Sequence, residues 1–194
     1  AQIFTFWAPV GERTAFEGVR SVPPGHMLCV ESGKTRLLKY WEWRYRTPEG
    51  KAPTLDEAAE ELHALLMDAI RLQLRSDVPV GAYLSGGLDS SIIAAMIRKH
   101  STVPLRTFSV EFEDAEYDES NYQKLMSRHL ATDHTSVLCT RAQIGTSFRR
   151  LITHVEMPIL RAAPAPLMVL SQLVRQSGFK VVLTGEGADE VFGG

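Results

Sequence analysis

Cysteine is scarce: two stand in 194 residues, Cys29 and Cys139, far apart and without a C-x-x-C spacing. That argues against a disulfide framework and against a zinc site, and leaves reduced, structural thiols as the reading. No apolar run approaches the roughly 18 residues of a membrane span, and no basic, apolar, small-residue sequence opens the chain. Neither a span nor a secretory signal is visible, so a cytoplasmic location is expected. An excess of one charge is missing too. Twenty-one Lys and Arg face 23 Asp and Glu, which offers no electrostatic case for nucleic acid or a membrane surface and points to small molecules or proteins as partners. Internal repeats and low-complexity tracts are absent. What remains is ordinary globular composition, 44% hydrophobic and 23% charged, enough for one packed core or one core plus part of another.

The first 46 residues carry short alternating apolar stretches. Ile3–Trp7, His26–Val30 and Arg36–Trp41 read as strands separated by turn signals at Pro23-Pro24-Gly25 and Glu31-Ser32-Gly33-Lys34, and Met27 to Lys39 reads as a hairpin. The stretch is too short for a normal independent domain, so residues 1–47 are expected to be the tail of something larger. Thr47 to Pro53 has the Pro/Gly composition of a linker. From residue 54 the periodicity becomes helical, opened by the capping-box pattern Thr54-x-x-Glu57, with Leu55, Ala58, Ala59, Leu62, Leu65, Leu66, Ala69 and Leu72 on one stripe. Strands then alternate with helices: Val80–Leu84, helix Ser90–Lys99, Thr107–Phe112, helix Glu119–Leu130, Ser136–Cys139, helices Ile144–Val155 and Leu167–Gln176, and Lys180–Thr184. Such alternation predicts an α/β fold, an open parallel sheet with helices on both faces.

Two glycine-rich stretches follow predicted strands. In Ser85-Gly86-Gly87-Leu88-Asp89-Ser90 a buried strand ends and a helix begins, the place where open α/β sheets bind ligands. Paired glycines let successive N–H groups face one concavity and hold a phosphate, and the helix adds its free N–H groups and positive dipole end. The Ser85 and Ser90 hydroxyls can add hydrogen bonds. Asp89 would repel a bare phosphate but suits Mg²⁺ bridging the two. For an arbitrary Gly-Gly the blander reading, a tight turn with Asp89 at a helix start, would be preferred. Five such fixed letters, however, arise by chance in about one in a few thousand chains of this length. No G-x-x-x-x-G-K-[ST] loop is present, so the γ-phosphate chemistry of that loop is not indicated.

The Ser85–Ser90 stretch resembles the pyrophosphate loop of ATP pyrophosphatases, enzymes that split ATP between its α and β phosphates. Leu183-Thr184-Gly185-Glu186-Gly187-Ala188-Asp189-Glu190-Val191-Phe192-Gly193-Gly194 closely resembles the signature of glutamine-dependent asparagine synthetases. Thr107–Phe112, Tyr117–Ser120 and Glu156-Met157-Pro158 are similar to that family as well, so the resemblance runs from about Thr54 to Gly194. Upstream, Val22–His26 and Tyr40-Trp41 look like the end of its glutaminase domain. The resemblance implies an adenine nucleotide α-hydrolase-like sheet over residues 54–194, truncated at its far side, preceded by a short β-rich remnant of a glutaminase domain. It implies ATP-dependent amidation of aspartate to asparagine through a β-aspartyl-AMP, with ammonia derived from glutamine and ATP and Mg²⁺ as cofactors. A homodimer is compatible with it.

Residue by residue, the resemblance assigns Asp89 and Asp189 to Mg²⁺, Leu84 and Val110 to the adenosine, Ser85, Gly86, Gly87 and Ser90 to the pyrophosphate, Thr184 with Gly185 to the nucleotide, and Glu186 to acid/base chemistry. Thr184 stands where the family usually has Ser, a swap that keeps the hydroxyl. The family's glutaminase nucleophile is an N-terminal Cys, whereas residue 1 is Ala, so glutamine hydrolysis is not expected of this stretch, nor activity from it alone. Relatives that close β-lactam or macrocyclic rings are the nearest alternative, and a non-catalytic nucleotide-binding module is another. Asp118 and Glu119 read as helix N-terminal residues, the six histidines lack ligand spacing, the three tryptophans read as packing residues, and Arg161 reads as either an anion contact or a solvated side chain.

Overall fold

A computed structural model describes residues 2–44, 52–101 and 104–193. Residues 47–51 of the expected linker Thr47–Pro53, and the closing Gly194, lie outside the described residues. Two compact units emerge, one formed by residues 1–52 with 149–162, the other by 53–148 with 163–194.

In the first unit, β1 (His26–Glu31) and β2 (Lys34–Lys39) form the expected hairpin, antiparallel with Glu31 opposite Lys34. Ser32 and Gly33 turn it with φ of 49° and 74°, both left-handed, as a two-residue turn matched to strand twist requires. One expectation fails. Ile3–Trp7 is no strand: Gln2–Phe6 forms a short helix, α1. Alternation alone cannot hold an extended segment; it needs a neighbour for its N–H and C=O groups, and no described strand pairs with this one. Trp7 instead carries the Arg161 guanidinium 4.9 Å from its ring centre, a cation–π contact. Trp41 and Trp43 meet edge to face at 4.9 Å.

The second unit opens with α2 (Leu55–Gln73), whose capping box forms: Glu57 N–H donates to Thr54 Oγ1 at 3.3 Å, and Thr54 N–H donates to the Glu57 carboxylate at 2.7 Å. The Thr54 N–H, and the Thr54 hydroxyl at 2.9 Å, both donate to the Glu57 carboxylate and hold it below its ordinary pKa. There follow β3 (Val80–Tyr83), α3 (Leu88–His100), β4 (Arg106–Phe112), α4 (Ser120–His129), β5 (Asp133–Cys139), α5 (Arg141–Val155), α6 (Pro164–Gln176), β6 (Val181–Leu183) and the single-turn α7 (Ala188–Phe192). The sheet is parallel, in the order β5-β4-β3-β6.

Successive crossovers carry the chain from β3 outward to β5, and the next returns it to the far side of β3. Right-handed crossovers of that sense place α3 and α4 on one face and α6 on the other. The core shows both faces, because side chains alternate along each strand. Ala82, Leu84 and Leu183 pack with Ile70, Ala94 and Ile97, while Phe108, Tyr83 and Val182 pack with Leu170 and Val174 of α6. Leu84 and Phe108 are wholly buried, each stabilising the fold by about 1.5–3 kcal/mol relative to exposure. The fold is α/β, an open parallel sheet covered on both faces.

Beneath α4 the interior is polar. Thr107 and Ser109 of β4 and Gln123 of α4 are each at most 3% exposed. Thr107 Oγ1 lies 2.9 Å from both Thr132 Oγ1 and His134 Nδ1. Burial pushes the His134 imidazole below its ordinary value of 6.5, against the opposing pull of Glu111. The neutral ring therefore belongs to the folded state, and the unfolded chain takes the proton first as pH falls. Unfolding free energy, read from urea melts, should decline as pH drops below 6.5, and His134→Gln should flatten that decline; an unchanged slope in the variant would show that the ring is not held neutral.

Candidate active site

The first bend is built from its own hydroxyls. Ser85 N–H donates to Ser90 Oγ at 3.1 Å, the Ser85 and Ser90 hydroxyls lie 2.9 Å apart, Gly87 N–H donates to Ser85 Oγ at 3.2 Å, and Ser90 Oγ donates to the Gly87 carbonyl at 3.2 Å. With Ser90 donating to Gly87, Ser85 donates to Ser90 and both hydroxyl protons are committed within the loop. Gly86 takes φ of 93°, and a Cβ there would lie 2.9 Å from Tyr122 Cβ and 3.1 Å from the Gln123 backbone nitrogen. It must be glycine on both counts. α3 then starts at Leu88 with no side chain capping it, leaving its first N–H groups free to meet an anion.

The second bend follows β6. Thr184 Oγ1 accepts a hydrogen bond from Glu186 N–H at 3.4 Å, Ala188 N–H donates to the Gly185 carbonyl at 3.3 Å, and Gly187 takes φ of 95°. Ala82 of β3 pairs in register with Leu183 of β6, so the chain leaves both strands at one level of the sheet. β3 and β6 are neighbours, and the chain leaves β3 into α3 and β6 into the second bend, so both bends lie at the carboxyl edge of the sheet, where such sheets bind ligands. The two bends touch there. A Cβ on Gly185 would lie 2.9 Å from Asp89 Cβ, 3.0 Å from the Asp89 carbonyl carbon and 3.0 Å from Ser90 N.

A cavity of about 330 Å³ opens at this junction, lined by Leu84, Ser85, Asp89, Ser90, Val110, Thr184, Gly185, Glu186 and Asp189 among others. Nine of the residues singled out in sequence thus share one wall system. Gly86 and Gly87 do not line it; Gly86 is packed back against α4. Leu84 is buried, Asp89 is partly exposed, and Glu186 and Asp189 are exposed. A larger, more apolar cavity of about 680 Å³ adjoins on the α2 side and shares Asp89 and Thr184–Gly187; the smaller one holds the polar groups of both bends. Sequence reasoning missed Gln123, Phe108, Leu167 and Leu170 on its wall, because no motif marks residues that reach a site from within a helix or strand. Asp118 acts at the start of α4 as expected, accepting from Ser120 Oγ at 2.7 Å and Phe112 N–H at 3.2 Å, bonds that lower its pKa. Glu119, beside it, lines the cavity.

The charge around the cavity decides what anion it can accept. Asp89, Glu119, Glu186, Asp189 and Glu190 line it, and no described lysine or arginine does. A polyphosphate entering alone would meet repulsion. A hard cation held by one or two carboxylates and completed by phosphate oxygens and water is how Mg²⁺ usually binds, and Asp89 and Asp189 fit that donor set. Among the described residues no group of three or more His, Cys, Asp or Glu forms an all-protein metal cage.

Residues 61–194 match the family described as asparagine synthase, which is more than half of the chain. The chain belongs to the asparagine synthase family. It is 32% identical to amidase chyE of Penicillium rubens over 95% of its length and 30% of that protein. It is 35% identical to a putative glutamine-hydrolysing asparagine synthetase 2 of Methanocaldococcus jannaschii, over 86% of its length and 32% of that protein. The chain spans about a third of the length of the curated relatives it matches. An NH3-dependent NAD synthetase from Campylobacter jejuni superposes with a TM-score of 0.47 at 16% identity, covering 68% of this chain and 58% of that one, too distant to bear on function.

The contact between the bends of this family member is open to a direct test. Gly185→Ala should lower unfolding stability by about 1–3 kcal/mol, because backbone rather than a flexible side-chain end must move. Gly145→Ala, in the interior of α5 with open space around it, should raise stability by about 0.5–1 kcal/mol. Denaturant melts of both variants check the pair, and a Gly185→Ala protein as stable as wild type would mean that the bends do not meet.

Proposed function

We propose that this chain supplies the nucleotide-binding part of a ligase that activates a carboxylate with ATP, releasing pyrophosphate, and passes the resulting acyl-adenylate to an amine. The observation that carries it is the junction of the two bends, which gathers a capless helix N-terminus, two candidate metal carboxylates and a third carboxylate around one cavity. The N–H groups at the start of α3 would receive the pyrophosphate, with Ser85 and Ser90 holding the loop in shape for them. Leu84 and Val110 would flank the adenosine, and Thr184 and Gly185 the rest of the nucleotide. Bound Mg²⁺, held by Asp89 and Asp189, would neutralise charge building on the leaving pyrophosphate. Glu186, exposed at the rim, would take a proton from the attacking amine.

Aspartate as the acid and ammonia drawn from glutamine as the amine are the choices that family membership favours, through a β-aspartyl-AMP. Similarity to a protein named amidase chyE favours a second choice, the same adenylation applied to a different carboxylic acid. Full-length protein given ATP, Mg²⁺ and a panel of amino acids and other carboxylic acids should release pyrophosphate only with its own acid, and that acid separates the two choices. Formation of ADP would refute the adenylation. Asp89→Asn and Asp189→Asn should each cut pyrophosphate release by about 100-fold or more while leaving the circular dichroism spectrum and melting temperature near wild type. A full-rate variant at either position would remove that residue from the metal site.

A further inference from the structure

One part of the cavity wall is not accounted for by either bend. Gln123, in the first turn of α4, lines the cavity and is only 3% exposed. Its Nε2 donates to the Val110 carbonyl at 3.0 Å, which fixes the amide's orientation and leaves Oε1 as an acceptor. Oε1 is buried, and no described group donates to it. Elsewhere on α4 the buried polar side chains do pair: Ser120 Oγ donates to Asp118 at 2.7 Å and Ser127 Oγ to the Lys124 carbonyl at 3.2 Å. An interior acceptor without a donor is disfavoured unless something else supplies one. Gln123 also stands between the two parts of the site. Its backbone nitrogen lies against Gly86 of the first bend, and its side chain holds Val110 of β4.

We propose that Gln123 is a specificity-determining residue of the nucleotide site, its Oε1 accepting a hydrogen bond from a donor on the nucleoside, the exocyclic amine of the base or a ribose hydroxyl. This rests on reading the cavity as an ATP site. With the amide held on Val110, Oε1 is closed to solvent and cavity alike; a turn about the soft terminal torsion, releasing the Val110 carbonyl, would bring Oε1 to a donor in the cavity that Gln123 lines. A site with a buried acceptor rejects an analogue that lacks the matching donor, because binding it leaves the acceptor unpaired. If the donor is the amine, guanine presents a carbonyl at that place and sets acceptor against acceptor.

The test is equilibrium binding to the full-length protein of the Mg²⁺ complexes of ATP, purine riboside triphosphate, 2′-deoxy-ATP and 3′-deoxy-ATP. The first analogue lacks the amine and the other two each lack a hydroxyl. Wild type should bind one analogue about tenfold more weakly than ATP, the size of one lost neutral hydrogen bond, and which analogue it is identifies the donor. Gln123→Met keeps the side chain's length and removes the acceptor; it should bind ATP and that analogue about equally, with Gln123→Leu as a second variant if the first does not fold. Equal wild-type affinities for all four, or discrimination that survives in the variants, would overturn the proposal. Wild type that binds no nucleotide would sink the ATP reading itself and this proposal with it.

Discussion

The close approach of Gly185 to the Asp89–Ser90 backbone is the constraint on which the rest of the site depends. Any β-carbon at 185 would sit about 3 Å from backbone atoms of the first bend, nearer than such atoms ordinarily come, so neither bend can be where it is without that glycine. The sheet makes the contact inevitable. β3 and β6 are paired in register and end together, and the chain leaves one into α3 and the other into a turn. Thr184, Glu186 and Asp189 are therefore delivered to the rim of the first bend by a backbone contact rather than by long flexible side chains, which is how a site gains precision at small entropic cost.

The first bend is preorganised in a related way. Its two serines satisfy each other and the loop, so under the proposed function anion recognition would fall to backbone N–H groups at the start of α3, which no side chain caps. The surrounding carboxylates then set a condition. Five acidic side chains line the cavity, and they make it hospitable to a polyphosphate only when a divalent cation comes with it. On the proposed function, a phosphate cradle inside an acidic ring would suit a metal–nucleotide complex better than the free anion.

Much of this was legible in the sequence, and what was legible shares a cause. The capping box at Thr54 and Glu57, the Ser32-Gly33 turn, the alternation of strands and helices after Val80 and both glycine bends are local: the residues that form them are neighbours in the chain, and their chemistry works over a few ångströms of backbone. The helix at Gln2–Phe6 was misread because its alternating apolar residues describe a strand that has no partner, and pairing is a long-range fact. Gln123 was invisible for the same reason. Its importance comes from Val110 and Gly86, which lie on different elements, and nothing in the Tyr122-Gln123-Lys124 stretch distinguishes it from any polar residue of an amphipathic helix.

The packing against β4 differs between α6 and α4, and the difference bears on the site. Under α6 the contacts are apolar, with Phe108 edge to face with Phe179 at 5.4 Å, a form of packing that tolerates small slides. Under α4 the contacts are directional: Thr107 with Thr132 and His134, Ser109 Oγ donating to the Leu84 carbonyl, Gln123 to the Val110 carbonyl. Directional bonds contribute less net stability than the same area of apolar packing, yet a shift of one ångström breaks them. Of these, the Gln123–Val110 bond joins α4 to β4, and α4 is the element against which Gly86 of the first bend is packed. A directional bond there ties down a helix whose displacement would disturb the first bend.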